Sequence, residues 1–232
     1  MLDIHTHILP GVDDGSRNAG LSVRMLKCEA EQGVDAVALT PHFYARRESL
    51  NAFLARRAEA SGRLEAQLRS ETGMPRRLLG AEVAYFGGMS RVEELDALCI
   101  GGSGFMLIEL PFERWDHHVL DELVFLKEER DVTPVVAHVE RYMRWQPPKV
   151  YESLCGAGIL FQANASFFLN GWTRVLAAHM LDKRLLHFVG SDCHNLKDRA
   201  PNLKPAMELI EQKCGKSALK HLARMERKLL QG

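Results

Sequence analysis

His5 and His7 stand one residue apart at the end of a short apolar run, and Asp192 and His194 repeat that spacing late in the chain. Alternate residues of a strand share a face, so each pair can converge on one ion. Similar residues recur between them: His42 in Thr40-Pro41-His42, Glu82 in Gly80-Ala81-Glu82-Val83, Glu109 in Leu107-Ile108-Glu109-Leu110-Pro111, and His138 in Ala137-His138-Val139-Glu140-Arg141. Asp14 follows Asp13 in a glycine-bounded loop. Nitrogen and oxygen donors without thiolate suit Mn, Fe or Zn better than Ca or Mg. Taken singly, each acid reads as a helix cap or salt-bridge partner, and Asp13 as a residue that caps or tightens its loop. As a set, His5, His7, Asp14, His42, Glu82, Glu109, His138, Asp192 and His194 are too many for one ion and enough for two or three. Arg141 lies just beyond His138, and Arg199 just beyond His194. Guanidinium forks bind phosphate bidentately, and cations beside a metal cluster require an anion to join them. The implied chemistry is phosphoester hydrolysis.

Such a cluster needs a scaffold that brings distant segments to one rim. Seven β-rich segments are predicted at Leu2 to His5, Asp35 to Thr40, Arg77 to Val83, Phe105 to Leu110, Thr133 to His138, Ile159 to Ala163 and His187 to Gly190. Helix-period stretches separate them, and two further helices are predicted from Leu203 to Lys213 and from Ser217 to Leu230. This alternation predicts an α/β fold of parallel strands joined by right-handed crossovers, closing into a barrel or strongly curved sheet. Catalytic groups then belong at the carboxyl ends of strands. Six of the seven predicted strands deliver imidazole or carboxylate to that rim, while Gln162-Ala163-Asn164 delivers amides.

The chain has 232 residues, 46% of them hydrophobic and 26% charged. That is the composition of a soluble globular protein of one domain, because α/β barrels of roughly 200 to 250 residues fold as single units. Thirty basic residues balance thirty acidic ones, and the pI near 7.2 provides no global field for nucleic acid or an anionic membrane. Five scattered cysteines without a C-x-x-C pair argue against a disulfide framework or a thiolate zinc site. No apolar run suits a membrane span, and Asp3 and His5 fall where a signal peptide would be apolar. These features predict a reducing, cytoplasmic setting without direct membrane insertion.

The motifs carry a resemblance. Asp3-Ile-His-Thr-His-Ile-Leu-Pro-Gly-Val-Asp-Asp-Gly-Ser16, then Thr40-Pro41-His42, Gly80-x-Glu82, Ile108-Glu109, Ala137-His138-x-Glu140-Arg141 and Ser191-Asp192-x-His194 resemble the polymerase-and-histidinol-phosphatase (PHP) superfamily. The similarity is to its metal-dependent bacterial protein-tyrosine phosphatases of capsule and exopolysaccharide biosynthesis, and it covers residues 2 to about 200. It implies a distorted seven-stranded (β/α)7 barrel, a single PHP-type domain over 1–232, and three divalent ions, usually manganese, with iron or zinc as alternatives. By similarity, His5, His7, Glu82 and Asp192 would hold one ion, Glu82, Glu109 and His138 a second, and Asp14, His42 and His194 a third. Asp14, Arg141 and Arg199 would be catalytic, the arginines binding phosphate. The implied partner is the phosphotyrosine-bearing tail of a bacterial tyrosine kinase. Val139 stands where relatives commonly have proline.

Metal chemistry then supplies the expected mechanism. Two ions lower the pKa of a bridging water far below its bulk value of about 15.7, and the resulting hydroxide attacks phosphorus in line. Arg141 and Arg199 meet the charge that develops on the equatorial oxygens. The alternatives are a small-molecule phosphatase of the histidinol-phosphate type and a non-catalytic metal-binding scaffold. Gly101-Gly102-Ser103-Gly104 precedes a predicted strand and reads as a turn. The eight arginines between Arg46 and Arg77 read as a solvated helix face, with docking of an acidic kinase tail as the alternative. His117, His118, His179, His187 and His221 read as satisfied core or surface residues. Cys193 should point away from its ligand neighbours, which speaks against a thiol mechanism. The apolar faces of the closing helices could cover the barrel or another subunit.

Overall fold

Glycine breaks one of the predicted strands, and proline parts another from a short strand beyond it. In the computed structural model, which describes residues 1–231, β1 runs Leu2–Thr6, β2 Ala36–Leu39, β3 His42–Phe43, β4 Arg76–Leu79 and β5 Glu82–Ala84. Then follow β6 Phe105–Glu109, β7 Thr133–Val136, β8 Leu160–Asn164 and β9 Phe188–Gly190. The predicted single strand over Arg77 to Val83 is thus two segments, and β3 is a strand that pattern reading did not anticipate. Pro41 has no N–H to continue the ladder of β2, so the chain jogs there and its carbonyl accepts Glu82 N–H instead, at 3.0 Å. Gly80 makes the matching jog between β4 and β5, where a Cβ would sit 3.0 Å from Ile100 Cγ1.

Every pairing is parallel. Three strands lie in the order β1-β2-β4 and six in the order β3-β5-β6-β7-β8-β9. The far ends approach each other where His7 N–H bonds Cys193 O at 2.9 Å and Asp192 N–H bonds His5 O at 2.8 Å. The result is a strongly curled α/β arrangement with helices on its convex side.

Local capping fixes where the helices start. Asn18, Ser49 and Asp116 each accept a backbone N–H three residues on, opening α1 (Ala19–Glu31), α2 (Leu50–Leu68) and α3 (His117–Glu129). The remaining helices are α4 (Pro148–Gly156), α5 (Ala165–Leu169), α6 (Arg174–Asp182) and α7 (Leu203–Gln231). α7 is interrupted at Gly215 (φ 75°, ψ 177°), between the two predicted closing helices. Its two parts do different work. Leu203, Ala206 and Ile210 join the apolar layer between helices and sheet, whereas Met225 and Leu229 pack with Leu2, Ile4, Ala36, Ala38, Leu107 and Val135 on the concave side. The closing segment therefore packs on the sheets of its own chain, and Leu2 N–H bonds Glu226 there.

The arginine-rich segment meets its expectation in part. Arg46, Arg47, Arg63, Arg69 and Arg76 are exposed, whereas Arg57 is buried, and four of the eight fasten other parts of the chain. Buried Arg57 donates to Gly80 O at 2.8 Å and Ala97 O at 2.9 Å, holding the β4–β5 jog. Arg56 reaches Val12 O and Glu48, Arg63 reaches Pro10 O, and Arg77 forks onto Glu65. Helix α2 thereby fastens the loop that carries Asp13 and Asp14.

Candidate metal centre

A distortion in the first strand sets the site. Asp3 accepts the N–H of His5, two residues on, at 3.1 Å, and the β1–β2 register slips between Asp3 and Thr6. A slip of one residue moves side chains to the other face. Ile4 accordingly lies in the concave apolar cluster while His5 next to it still faces the polar centre, 3.2 Å from Glu82 Oε2. Asp3 also accepts Ser191 N–H, tying the first strand to the turn that presents Asp192.

Two site residues occupy the left-handed backbone region, His138 at φ 32° and Asp192 at φ 53°. Such conformations cost of order 1–3 kcal/mol in non-glycine residues and persist where surrounding contacts enforce them. Gly15 and Gly190 are needed for a different reason. A Cβ on Gly15 would overlap the carbonyl oxygen and Cβ of His7, and one on Gly190 would lie 2.7 Å from the Cβ of His5.

All nine predicted ligand residues meet. Atoms close enough to share an ion form three groups: His5, His7 and Asp192; His7, Asp14, His42 and His194; and His42, Glu82 and Glu109. His138 Nε2 joins the last, 2.8 Å from Glu82 Oε1 and 3.5 Å from Glu109 Oε1. The partition differs from the expected one at three residues: His7 and His42 each belong to two groups, and Glu82, expected in two, falls in one. Asp14 is the most exposed member, its side chain 66% accessible, yet it reaches His42 Nε2 at 3.5 Å and His194 Nε2 at 3.4 Å.

The orienting partners were mostly missed by sequence reasoning. Asp13 does brace its loop through Gly15 N–H, but its other oxygen takes His7 Nδ1 at 2.7 Å and His42 N–H at 3.1 Å. Gln162 Oε1 accepts from His5 Nδ1 at 3.1 Å and from His138 N–H at 2.7 Å. Gln162 then donates to Asn164, and Asn164 donates to Asp192. The one strand that carries amides to the rim thus supplies the brackets that hold the ligands. Its alternation with the ligand-bearing strands was the available signal.

These contacts fix tautomers. His5, His7 and His194 each use Nδ1 on a fixed acceptor, namely Gln162 Oε1, the Asp13 carboxylate and Asp192 O. With Nδ1 protonated, each Nε2 presents a lone pair to the centre. The Nε2 atoms of His5 and His7 face each other across the centre at 3.2 Å. Glu82 Oε2, His42 Nδ1 and His194 Nε2 are buried without a hydrogen bond. Glu82 Oε2 lies 3.0 Å from His42 Nδ1, close enough for a bond but wrongly angled for one. Orphaned lone pairs converging in a buried pocket are what divalent cations satisfy, so the donor set fits such ions.

Charge in the site is strongly coupled. Burial works against ionised Glu82 and Asp192, yet the surrounding imidazoles hold both well below the ordinary carboxylate range. Burial likewise opposes a charged His7, and Asp13, Asp192 and Glu82 overcome it to raise its pKa well above normal, so a cation that binds at Nε2 takes the place of a proton there. Arg141 Nη2 and Arg199 Nη2 each lie 2.6 Å from a different oxygen of Asp192. Both arginines remain more than a third exposed on the side chain, so their forks open toward solvent above the cluster. Cys193 is buried, with its thiol toward Glu29 and its pKa raised by burial, which removes it as a nucleophile. Among the described residues no helix is long and apolar enough to cross a membrane.

Comparison with known proteins agrees with this geometry. The chain is 29% identical over 221 residues to the tyrosine-protein phosphatase YwqE of Bacillus subtilis, covering 93% of this chain and 85% of that one. It is 30% identical over 246 aligned positions to the tyrosine-protein phosphatase CpsB of Streptococcus agalactiae, covering 96% and 94%. A solved structure described as YwqE from Bacillus subtilis and CpsB from Streptococcus pneumoniae, unique metal-dependent tyrosine phosphatases, superposes with a TM-score of 0.85 at 26% identity, over 99% of this chain and 94% of that one. Residues 1–230 match the family described as capsular polysaccharide synthesis, CpsB/CapC, and the chain belongs to that family.

Proposed function

We propose that this protein is a metal-dependent protein-tyrosine phosphatase that removes phosphate from phosphotyrosine on a bacterial tyrosine kinase governing capsule or exopolysaccharide synthesis. The observation that carries the reading is the junction of a buried imidazole–carboxylate cluster with two arginine forks on one carboxylate, Asp192. The jogs at Pro41 and Gly80 favour treating β2 with β3 and β4 with β5 as two staggered strands. The two sheets are then a distorted seven-stranded barrel within a single domain over 1–232. Three divalent ions, manganese foremost, suit the three ligand groups. The nine residues His5, His7, Asp14, His42, Glu82, Glu109, His138, Asp192 and His194 would hold them. Free thiols at all five cysteines agree with a cytoplasmic site of action.

When bound, the ions supply Lewis acidity that draws charge from the phosphoryl oxygens and acidifies water. The chain's own groups do the rest. Arg141 and Arg199 bind two phosphoryl oxygens and stabilise charge that develops there, releasing Asp192 from its double ion pair as they do so. Gln162 and Asp13 hold the Nδ1 atoms of His5 and His7, and Asn164 holds Asp192, so the ligands keep their orientation during the step. Asp14, exposed at the rim, is placed to carry a proton toward the departing phenolate oxygen, whose conjugate acid has a pKa of about 10. The test is phosphate release from a phosphotyrosyl peptide by chelator-stripped protein, before and after Mn²⁺ is restored, with histidinol phosphate in parallel. Metal-restored turnover of the peptide is the expected result. Turnover of histidinol phosphate alone moves the protein to small-molecule metabolism, and silence on both leaves a metal-binding scaffold.

A further inference from the structure

A cavity of about 610 Å³ opens beside the ligand cluster, with Glu109 on its lining and Tyr44, Phe86 and Phe112 around it. Its volume falls within the range of small-molecule sites. Two of its aromatic rings lie against site histidines. Tyr44 is 5.2 Å from the ring of His42 at 30°, and Phe112 is 6.1 Å from the ring of His138 at 19°. Phe112 is 47% exposed, although its ring also stacks on Tyr142 at 5.4 Å. An aromatic side chain left half in water directly above a polar centre offers a ring face to a ligand.

Charge of both signs lines the same cavity, Arg46 and Arg47 together with Glu113 and Asp116. The acids of α2 and its approach are already engaged, Glu48 with Arg56, Glu59 with Arg63 and Glu65 with Arg77. Arg47 lies over the Tyr44 ring at 4.5 Å, and neither Arg46 nor Arg47 has a carboxylate partner among the described residues. With four arginines of the segment engaged elsewhere, Arg46 and Arg47 are the two that line this cavity. Tyr44 and Arg47 also border a neighbouring recess that contains Asp14 and His42, so both openings reach the ligand cluster past the same pair.

Resting on the tyrosine-phosphatase reading, we propose that this cavity selects the substrate: the phenyl ring of phosphotyrosine seats between Tyr44 and Phe112, and Arg46 and Arg47 take acidic residues on one flank of the peptide. The phosphate then points inward past Glu109 toward Arg141 and Arg199. An aliphatic phosphoester finds no ring contact.

The test is steady-state kinetics of the metal-loaded protein on two phosphotyrosyl peptides, one flanked by acidic residues and one by neutral residues, with competitive inhibition by inorganic phosphate measured for each variant. Phe112→Ala is expected to raise KM for both peptides about fivefold to tenfold, the scale of one aromatic contact. The inhibition constant of phosphate, which has no ring, stays within about twofold. Phe112→Tyr, which keeps the ring, restores KM. Replacing both arginines (Arg46→Glu with Arg47→Glu) abolishes the preference for the acid-flanked peptide, and in the unmodified protein salt weakens that preference. An unchanged KM in Phe112→Ala overturns the ring seat, as does a parallel loss of phosphate inhibition, which would mean general damage to the site. Equal use of both peptides by the unmodified protein overturns the arginine role. No turnover of either peptide by the unmodified protein overturns the phosphatase reading itself and the seat with it.

Discussion

Replacing Asp13 by alanine isolates the contribution of one orienting carboxylate. Its side chain is 5% exposed and binds His7 Nδ1 at 2.7 Å, His42 N–H at 3.1 Å and Gly15 N–H at 3.0 Å. Burial alone would raise its pKa, but these donors, His7 foremost, bring it from 3.8 down to about 2. At about 1.36 kcal/mol per pKa unit, the folded site favours the ionised carboxylate by roughly 2–3 kcal/mol. A charge-assisted hydrogen bond contributes about 1.5–3 kcal/mol by an independent route, so both figures converge. In Asp13→Ala, His7 is free to move its proton to Nε2, which removes the lone pair directed at the centre. At about 1.4 kcal/mol per tenfold, affinity for Mn²⁺ should fall about 10- to 100-fold. Calorimetric titration of stripped protein with Mn²⁺ reads the loss, and excess Mn²⁺ should recover most of the turnover. Affinity within twofold of the unmodified protein would refute the claim that Asp13 sets the donor state of His7.

Three further outcomes are expected. Arg141→Ala should abolish phosphatase turnover while metal content by mass spectrometry stays unchanged, and full activity in that variant would remove Arg141 from phosphate binding. Gly15→Ala should cost on the order of 3 kcal/mol, because the new Cβ collides with His7, and should lower Tm by roughly 6–12 °C; a Tm within about 2 °C would contradict the packing. His187 accepts Phe161 N–H on Nδ1 at 3.1 Å, and burial, aided by His221, brings its pKa from 6.5 to about 4. The unfolded chain takes up this proton first as pH falls, so stability should decline from about pH 6.5 toward pH 4. His187→Asn keeps an acceptor for Phe161 without the titration, and comparing Tm at pH 7 and pH 5 should show a smaller drop than in the unmodified protein.

The ligand positions were legible because function itself imposes their pattern: a histidine pair at strand spacing, and acids where apolar runs end. The α/β alternation was legible for the same periodic reason. The breaks at Pro41 and Gly80 were less so. A proline or glycine announces a disruption, but only the neighbouring segment decides whether the chain turns away or resumes the sheet one step over. The slip at Asp3 is invisible in a pattern of alternation, since it consists of a departure from that alternation. Gln162 and Asn164 carry no charge and no metal-binding signature, so their role emerges only when the strands that present His5, His138 and Asp192 are assembled around them. Arg57 shows the limit of charge-run reasoning. Its segment looks like a solvated surface until the carbonyls it clamps, Gly80 and Ala97, are brought beneath it.

The division of labour within α7 bears on how the protein holds its ions. Every candidate ligand, from His5 to His194, precedes Gly215, while Met225 and Leu229, which reach the apolar cluster around Leu2 and Ile4, follow it. The ligands and the apolar floor beneath them are thus supplied by separate stretches of chain. Docking of Met225 and Leu229 closes that floor and braces β1, the strand that presents His5. Tight retention of ions is therefore expected to depend on residues that follow the last candidate ligand, and a variant truncated after Gly215 should exchange metal faster than the intact chain.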